Sequence, residues 1–411
     1  WPISYDDLEP FYNEAEDQLG VAGAETPWED QRQHAFPFPA FAPYDSSIAL
    51  KEAMASIGLR SGPGPVAVAS VTRGDRNACM HCGFCRSSCR IDAKFQADHA
   101  LIDPLLKSGS IELVSQAEVL RLTTGDRADC VRAVEYIDLE SGSRQEARGR
   151  LFFVCNNPIE TPRLFLNSSS AAHPAGLANQ NDLIGRYLFG HIGSVAAGST
   201  SRCMNTSVGY SMGNVISLDC LRPSASDSHV GGFVIESLHG AGAGVLAVDP
   251  YRMLWGTQLK NAMRRYNHGM YMVSFGETMP VFDNRVTLSS TLKDAHGMPQ
   301  ARIEYKWHEN DMAVDRRARE TLTSIMKAAG ASRVDINPTP FEAHLQGTMR
   351  MGQDPRTSVT NPWGQVHGLR NVYVGGASTY VTGSAVNPTL TLYALALRTA
   401  KHVRERFGLH A

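Results

Sequence analysis

No apolar run in the sequence approaches the ~18–20 residues that cross a bilayer as a helix, so the chain has no transmembrane segment of its own. Basic blocks are missing too. Lys and Arg total 39 against 41 Asp and Glu, a formal net charge of −2, which leaves nucleic acid and anionic membrane unsupported as partners. There is no C-x-x-C-H, which argues against a covalent c-type haem on this chain. Internal repeats and low-complexity segments are lacking, as is an initiator Met: the sequence opens Trp1-Pro2-Ile3. A dinucleotide-binding glycine fingerprint is also missing. Gly62-Pro63-Gly64-Pro65-Val66-Ala67 has the spacing, but two prolines remove N–H donors and oppose a helix start. Gly240-Ala241-Gly242-Ala243-Gly244 runs toward Pro250 with no room for a helix. Both read as loops.

What remains is an ordinary globular composition, 43% hydrophobic and 19% charged, in 411 residues. That length suggests ~2–3 domains' worth of core. Leu8, Phe11, Tyr12, Ala15 and Leu19 recur at helical spacing after a Ser4–Asp7 capping pattern. Residues 21–70 read as loop with one short helix, Ser47 to Ile57. Three strand-like runs follow at 111–114, 118–122 and 131–139, with turns at Gly125-Asp126 and Ser141-Gly142. Leu151-Phe152-Phe153-Val154-Cys155 is a continuous apolar run, as in a buried parallel strand, and a helix candidate follows from Ile159 to Leu166. Residues 284–299 suggest a hairpin, and Asn310 to Gly330 an amphipathic helix.

The most informative stretch is Asn371 to Arg398. Val372-Tyr373-Val374 predicts a short strand and Gly375-Gly376-Ala377-Ser378 a turn without bulk. Asn387-Pro388 then predicts a helix start, with Asn as N-cap and Pro in the first turn. Free N–H groups and a partial positive charge converge there, a setting for an anion or an electron-rich ring edge.

Read with His344-Leu345-Gln346-Gly347-Thr348-Met349 upstream, and with Val366-His367-Gly368, Asn371-Val372-Tyr373-Val374 and Asn387-Pro388-Thr389-Leu390-Thr391, this stretch resembles the C-terminal signature of the glucose–methanol–choline (GMC) flavoprotein oxidoreductases. Ile184-Gly185-Arg186-Tyr187-Leu188 and His191 resemble that family's crossing into its substrate domain. The resemblance implies a fold of mixed α/β (α+β) class: an FAD-binding Rossmann-like domain beside a substrate domain built on an antiparallel sheet with helices. It assigns 70–183 and 353–411 to the first and 1–69 and 184–352 to the second. The opening residues resemble a segment well inside such proteins, so the sequence reads as N-terminally truncated, with the Rossmann-like domain incomplete for want of its first βαβ unit.

The resemblance also implies residue roles. His344 and Asn387 would be the catalytic pair. A neutral imidazole can take a hydroxyl proton as hydride leaves for flavin. Asn387, the alternative helix cap, would instead hold the substrate oxygen. The backbone of Gly375, Gly376, Ala377, Pro388 and Thr389 would line the flavin, and Val119 would meet adenine. The family often carries Asp where Gly376 stands, and small residues where Asn156-Asn157-Pro158 stands. His191 and His367 read as structural.

Four of eight cysteines form Cys79-x2-Cys82-x2-Cys85-x3-Cys89, ringed by Arg73, Arg76, Arg86, Arg90 and Lys94. The spacing is that of ferredoxin runs, although Arg90 replaces the usual Pro. An iron–sulfur cluster, a zinc site, disulfides and reduced thiols all fit it. Together with Ala93-Lys94, the run resembles the large subunits of gluconate and fructose dehydrogenases, which implies a [3Fe-4S] cluster, a small subunit, a cytochrome c subunit and a periplasmic, membrane-associated setting. Cys130, Cys155, Cys203 and Cys220 are expected as buried core thiols. The implied activity is FAD-dependent oxidation of the CH–OH group of a sugar, sugar acid or polyol. An oxygen-using oxidase and an inactive fragment without FAD are the alternatives.

Overall fold

The structure is a computed structural model that describes all residues except 29–31, 33, 226, 240–252 and 409–411. The Gly240–Gly244 run lies outside the described residues.

The largest unit is a six-stranded antiparallel sheet. Its strands are β5 (Phe189–Ser199), β6 (Met212–Ser217), β7 (Phe233–Leu238), β8 (Gly269–Glu277), β11 (Arg333–Ile336) and β12 (Phe341–Gln346). The order is β11-β5-β8-β7-β6, and β12 also pairs with β5. One face is sealed by two helices, α2 (Asp45–Ser56) and α4 (Glu309–Ala328). Val314, Ala318, Leu322, Ile325 and Met326 recur at helical spacing on α4 and pack with Phe233, Ile235, Met270 and Met272 of the sheet. The α4 start is held by a capping box in which His308 accepts from Asn310 N and Asp311 accepts from His308 N.

The second unit contains a parallel pair, β4 (Phe152–Val154) with β13 (Val372–Val374), and a three-stranded antiparallel sheet. The latter is formed by β1 (Ala117–Thr124), β2 (Val131–Asp138) and β3 (Arg144–Arg148). Helix α3 (Glu160–Asn167) follows β4, and its first N–H groups are held by Asn157 Oδ1 at 2.9 Å. That accounts for the asparagine where the family carries small residues. A hairpin, β9 (Arg285–Lys293) with β10 (Pro299–Glu304), flanks α3. Helix α1 (Glu9–Leu19) lies beside the long C-terminal helix α5 (Thr389–Arg406).

Three sequence expectations are corrected. Residues 111–114 are not a strand: Leu113 is 62% exposed, and pairing begins at Ala117. The C-terminal helix starts at Thr389 with Pro388 as N-cap, so Asn387 does not cap it. None of Cys130, Cys155, Cys203 and Cys220 is a buried thiol; Cys155 and Cys203 are exposed. Cys155 follows the last residue of β4 and so leaves the core for a cavity rim.

Candidate active site

The free face of the six-stranded sheet collects polar groups that an apolar core would not tolerate. Residues opposite one another in an antiparallel pair share a face. Glu236 of β7 lies opposite Val273 of β8, Val234 opposite Phe275, and Glu277 opposite His191 of β5. Glu236, Phe275, Glu277 and His191 therefore share one surface. His344 joins them from β12 at a break in the ladder, where the register shifts between Ala343 and Gln346. Its φ of 55° lies in the left-handed region, uncommon for a residue with a side chain. The bulge re-aims the imidazole onto Phe275, ring centroids 4.8 Å apart, and onto His191, with Nδ1 to Nδ1 at 2.9 Å.

Residues 383–387 cross this surface. Ser384 hydrogen-bonds through its backbone to Glu277 and His191, and Gly383 lies against Gln346 and Phe189. Asn387 Nδ2 donates to Glu236 Oε1 at 2.9 Å. The two residues singled out as a catalytic pair, 43 positions apart in sequence, thus meet the same sheet face, one through His191 and one through Glu236. With one Nδ2–H given to Glu236, the Asn387 carboxamide keeps Oδ1 as an acceptor and a second Nδ2–H as a donor.

Burial sets the charge states. It lowers the His344 pKa below the ordinary imidazole value. His191 is fully buried, and burial together with the neighbouring His344 takes it down to about 4. Glu236 is pushed up to about 7 by burial, against the opposing hydrogen bond from Asn387. Near neutral pH both rings are uncharged and one ring nitrogen can accept a proton.

A cavity of about 450 Å³ opens in the second unit. It runs along the parallel strands β4 and β13 to their carboxyl ends, and Phe153, Cys155, Gly375, Gly376, Thr379 and the α5 residues Ala396 and Thr399 are among the residues that line it. The carboxyl ends of parallel strands are where such sheets receive ligands. Gly376, at φ 85°, holds a turn that favours glycine. Backbone bonds from Gly347, Met349 and Met351 to Ala377, Ser378 and Thr379 tie the continuation of β12 to the cavity wall. The mostly apolar walls fit the flat ring system of a flavin, with polar edges left to the backbone. Of the expected cofactor residues, Gly375 and Gly376 line this cavity. Ala377, Pro388 and Thr389 do not, and Pro388 O instead accepts from Tyr380 Oη. Val119 lies 44% exposed on β1, away from it.

Two sequence profiles of one family, both described as GMC oxidoreductase, match residues 49–193 and 280–396. A 2-methyl-1,2-propanediol dehydrogenase from Mycolicibacterium austroafricanum is 32% identical over 99% of this chain and 75% of its own length. This chain belongs to the GMC oxidoreductases. The fructose dehydrogenase large subunit of Gluconobacter japonicus is 29% identical over 97% of the chain and 74% of its own. Among solved structures, pyridoxine 4-oxidase from Mesorbium loti superposes with a TM-score of 0.63 at 16% identity, covering 90% of this chain and 73% of that one. That likeness concerns the fold. As a GMC enzyme the protein is a flavin oxidoreductase of the class acting on CH–OH donors, and FAD is its cofactor.

The cysteine run behaves differently. Cys79, Cys82, Cys85 and Cys89 line one cavity of about 530 Å³ with Arg90 and Lys94. Backbone N–H groups of His81 and Lys94 approach the sulfurs of Cys79 and Cys89 at 3.4 and 3.5 Å. None of the four is joined in a disulfide. Among the described residues, no three His, Cys, Asp or Glu side chains stand in a metal-holding arrangement.

Glu236 and Gln346 went unnoticed in the sequence, and His191 read as structural. An acid inside Phe233-Val234-Ile235-Glu236-Ser237-Leu238 was a usable signal, because a carboxylate in a fully buried strand needs a polar purpose. His191 carried no such signal. His367 is structural, its Nε2 lying 3.1 Å from Ser358 Oγ and 3.2 Å from Gly352 O.

Proposed function

We propose that this enzyme oxidises a secondary or primary alcohol of a sugar, sugar acid or related polyol. His344 takes the hydroxyl proton, and Asn387 orients the same hydroxyl through Oδ1. FAD, when bound, accepts the hydride and so the two electrons of the breaking C–H bond, which leaves a carbonyl. The observation that carries this reading is the meeting of His344 and Asn387 on one sheet face, each held by a buried partner. The names of the two relatives, a diol dehydrogenase and a fructose dehydrogenase subunit, support a polyol or sugar substrate. We assign 70–183 and 353–411 to FAD binding and 1–69 and 184–352 to the substrate. Steady-state turnover of the FAD-loaded protein against a panel of polyols and sugars, in unaltered and His344→Ala forms, tests the assignment.

For the electron acceptor we propose a cluster of the [3Fe-4S] type in the cysteine cavity, handing electrons to a small subunit and cytochrome c partner. Four thiols on one cavity, with N–H groups directed at two sulfurs and cations at the rim, support it. The expected result of anaerobic purification is iron and acid-labile sulfide in stoichiometric amount. Absence of both leaves oxygen or another acceptor as the route.

A further inference from the structure

A base must present a bare nitrogen, and a neutral imidazole has just one. In His344 the choice is made by its neighbours. His344 and His191 meet Nδ1 to Nδ1 at 2.9 Å, so one ring donates and the other accepts. The far side of His191 decides which. Its Nε2 lies 3.3 Å from the Gln346 carboxamide, whose Oε1 is buried without a partner. Turned end for end, that carboxamide brings Oε1 to His191 and supplies the missing bond from an Nε2–H. Backbone hydrogen bonds from His191 to Gly383 and Ser384 favour its protonation, as carbonyls accepting from an imidazole N–H do. With the carboxamide so turned, the hydrogen sits on the His191 Nε2 and the lone pair on its Nδ1. His344 must then donate Nδ1–H, and its own Nε2 is bare.

We infer that His191 and Gln346 are positioning residues that hold His344 in the tautomer with a free Nε2, the form able to take the substrate proton. The inference rests on the base role proposed above. When Nε2 takes that proton, the imidazolium formed keeps its Nδ1–H on a neutral His191. A second positive charge at that contact would be repelled, so the proton stays on His344 until it leaves through the site. The other titratable groups near the pair are Glu277 on β8, opposite His191, and Glu342 on β12, opposite Ile192. Burial raises both carboxyls above the ordinary carboxylate range.

The test is nitrogen NMR of the FAD-loaded protein labelled with 15N-histidine, since protonated and bare ring nitrogens resonate far apart. The His344 and His191 signals are identified by their loss in His344→Gln and His191→Asn. The expected result is a protonated Nδ1 and bare Nε2 on His344; a proton on its Nε2 overturns the inference even if His344→Ala abolishes turnover. Kinetics give a second arm. His191→Asn keeps an acceptor near the lost Nδ1 and should stay within a few-fold of normal kcat, whereas His191→Leu should lose roughly tenfold with KM nearly unchanged. Equal loss in both overturns the role, and should the leucine variant not fold, the NMR of the unaltered protein decides.

Discussion

The histidine face and the cysteine cavity carry the two chemistries proposed for this chain, and they are built in opposite ways. On the sheet face each side chain of the proposed pair has a strand residue that fixes it: His344 meets His191 and Asn387 meets Glu236. Around the thiols there is little of this. Cys82 is exposed, Met80 and Phe84 are 65% and 68% exposed, and residues 70–95 contain no helix or ladder strand. A proton-transfer site must be preorganised before substrate arrives, since its geometry is the catalyst. A thiolate site can take its final geometry from what it binds, because metal–sulfur bonds are strong enough to order the loop.

The contrast can be broken most sharply at His344. His344→Ala should lower turnover by roughly 10²–10⁴-fold while the flavin absorbance of the purified protein is kept; near-normal turnover would remove the base from the reaction. Next in size is the acceptor side. Cys82→Ala should abolish bound iron and physiological electron transfer, yet leave reduction of the flavin by substrate within about twofold, as followed by stopped-flow absorbance. Equal damage to flavin reduction would mean that the thiols serve the first half-reaction, against the division drawn here.

Glu236→Leu should cost roughly tenfold in kcat/KM, because a buried amide deprived of its partner loses about 1–3 kcal/mol. Glu236→Gln, which still accepts from Asn387, should recover most of it. The pH profile gives a smaller effect. Burial disfavours the imidazolium of His344, so its base form persists below the ordinary value. The acid limb of kcat/KM should fall below ~6.5; a limb above that is inconsistent with a buried, uncharged base. The smallest effect is on stability. A ring held near 4 when folded and at ~6.5 when unfolded weakens the fold as pH drops between those values. His191→Asn should flatten the denaturant-midpoint slope in that window.

Much of this arrangement was legible in the residues. The apolar stripe from Val314 to Met326 is a helix because its spacing leaves no other way to bury it, whereas the apolar run from Leu151 to Cys155 yields a strand only over Phe152–Val154, with Phe153 half exposed. Local pattern was enough to single out His344 and Asn387 as candidates, since a motif in sequence is a motif in the fold when the backbone around it is short and stiff. Periodicity and turn chemistry are local forces, and they set these elements by themselves. Which groups stand behind the proposed pair was settled elsewhere. Glu236 reaches Asn387 across 151 positions and His191 reaches His344 across 153. Such contacts depend on strand order and register, down to one bulge after Ala343 that swings a ring to the other side. Register is a property of paired strands, so no single stretch of chain holds it.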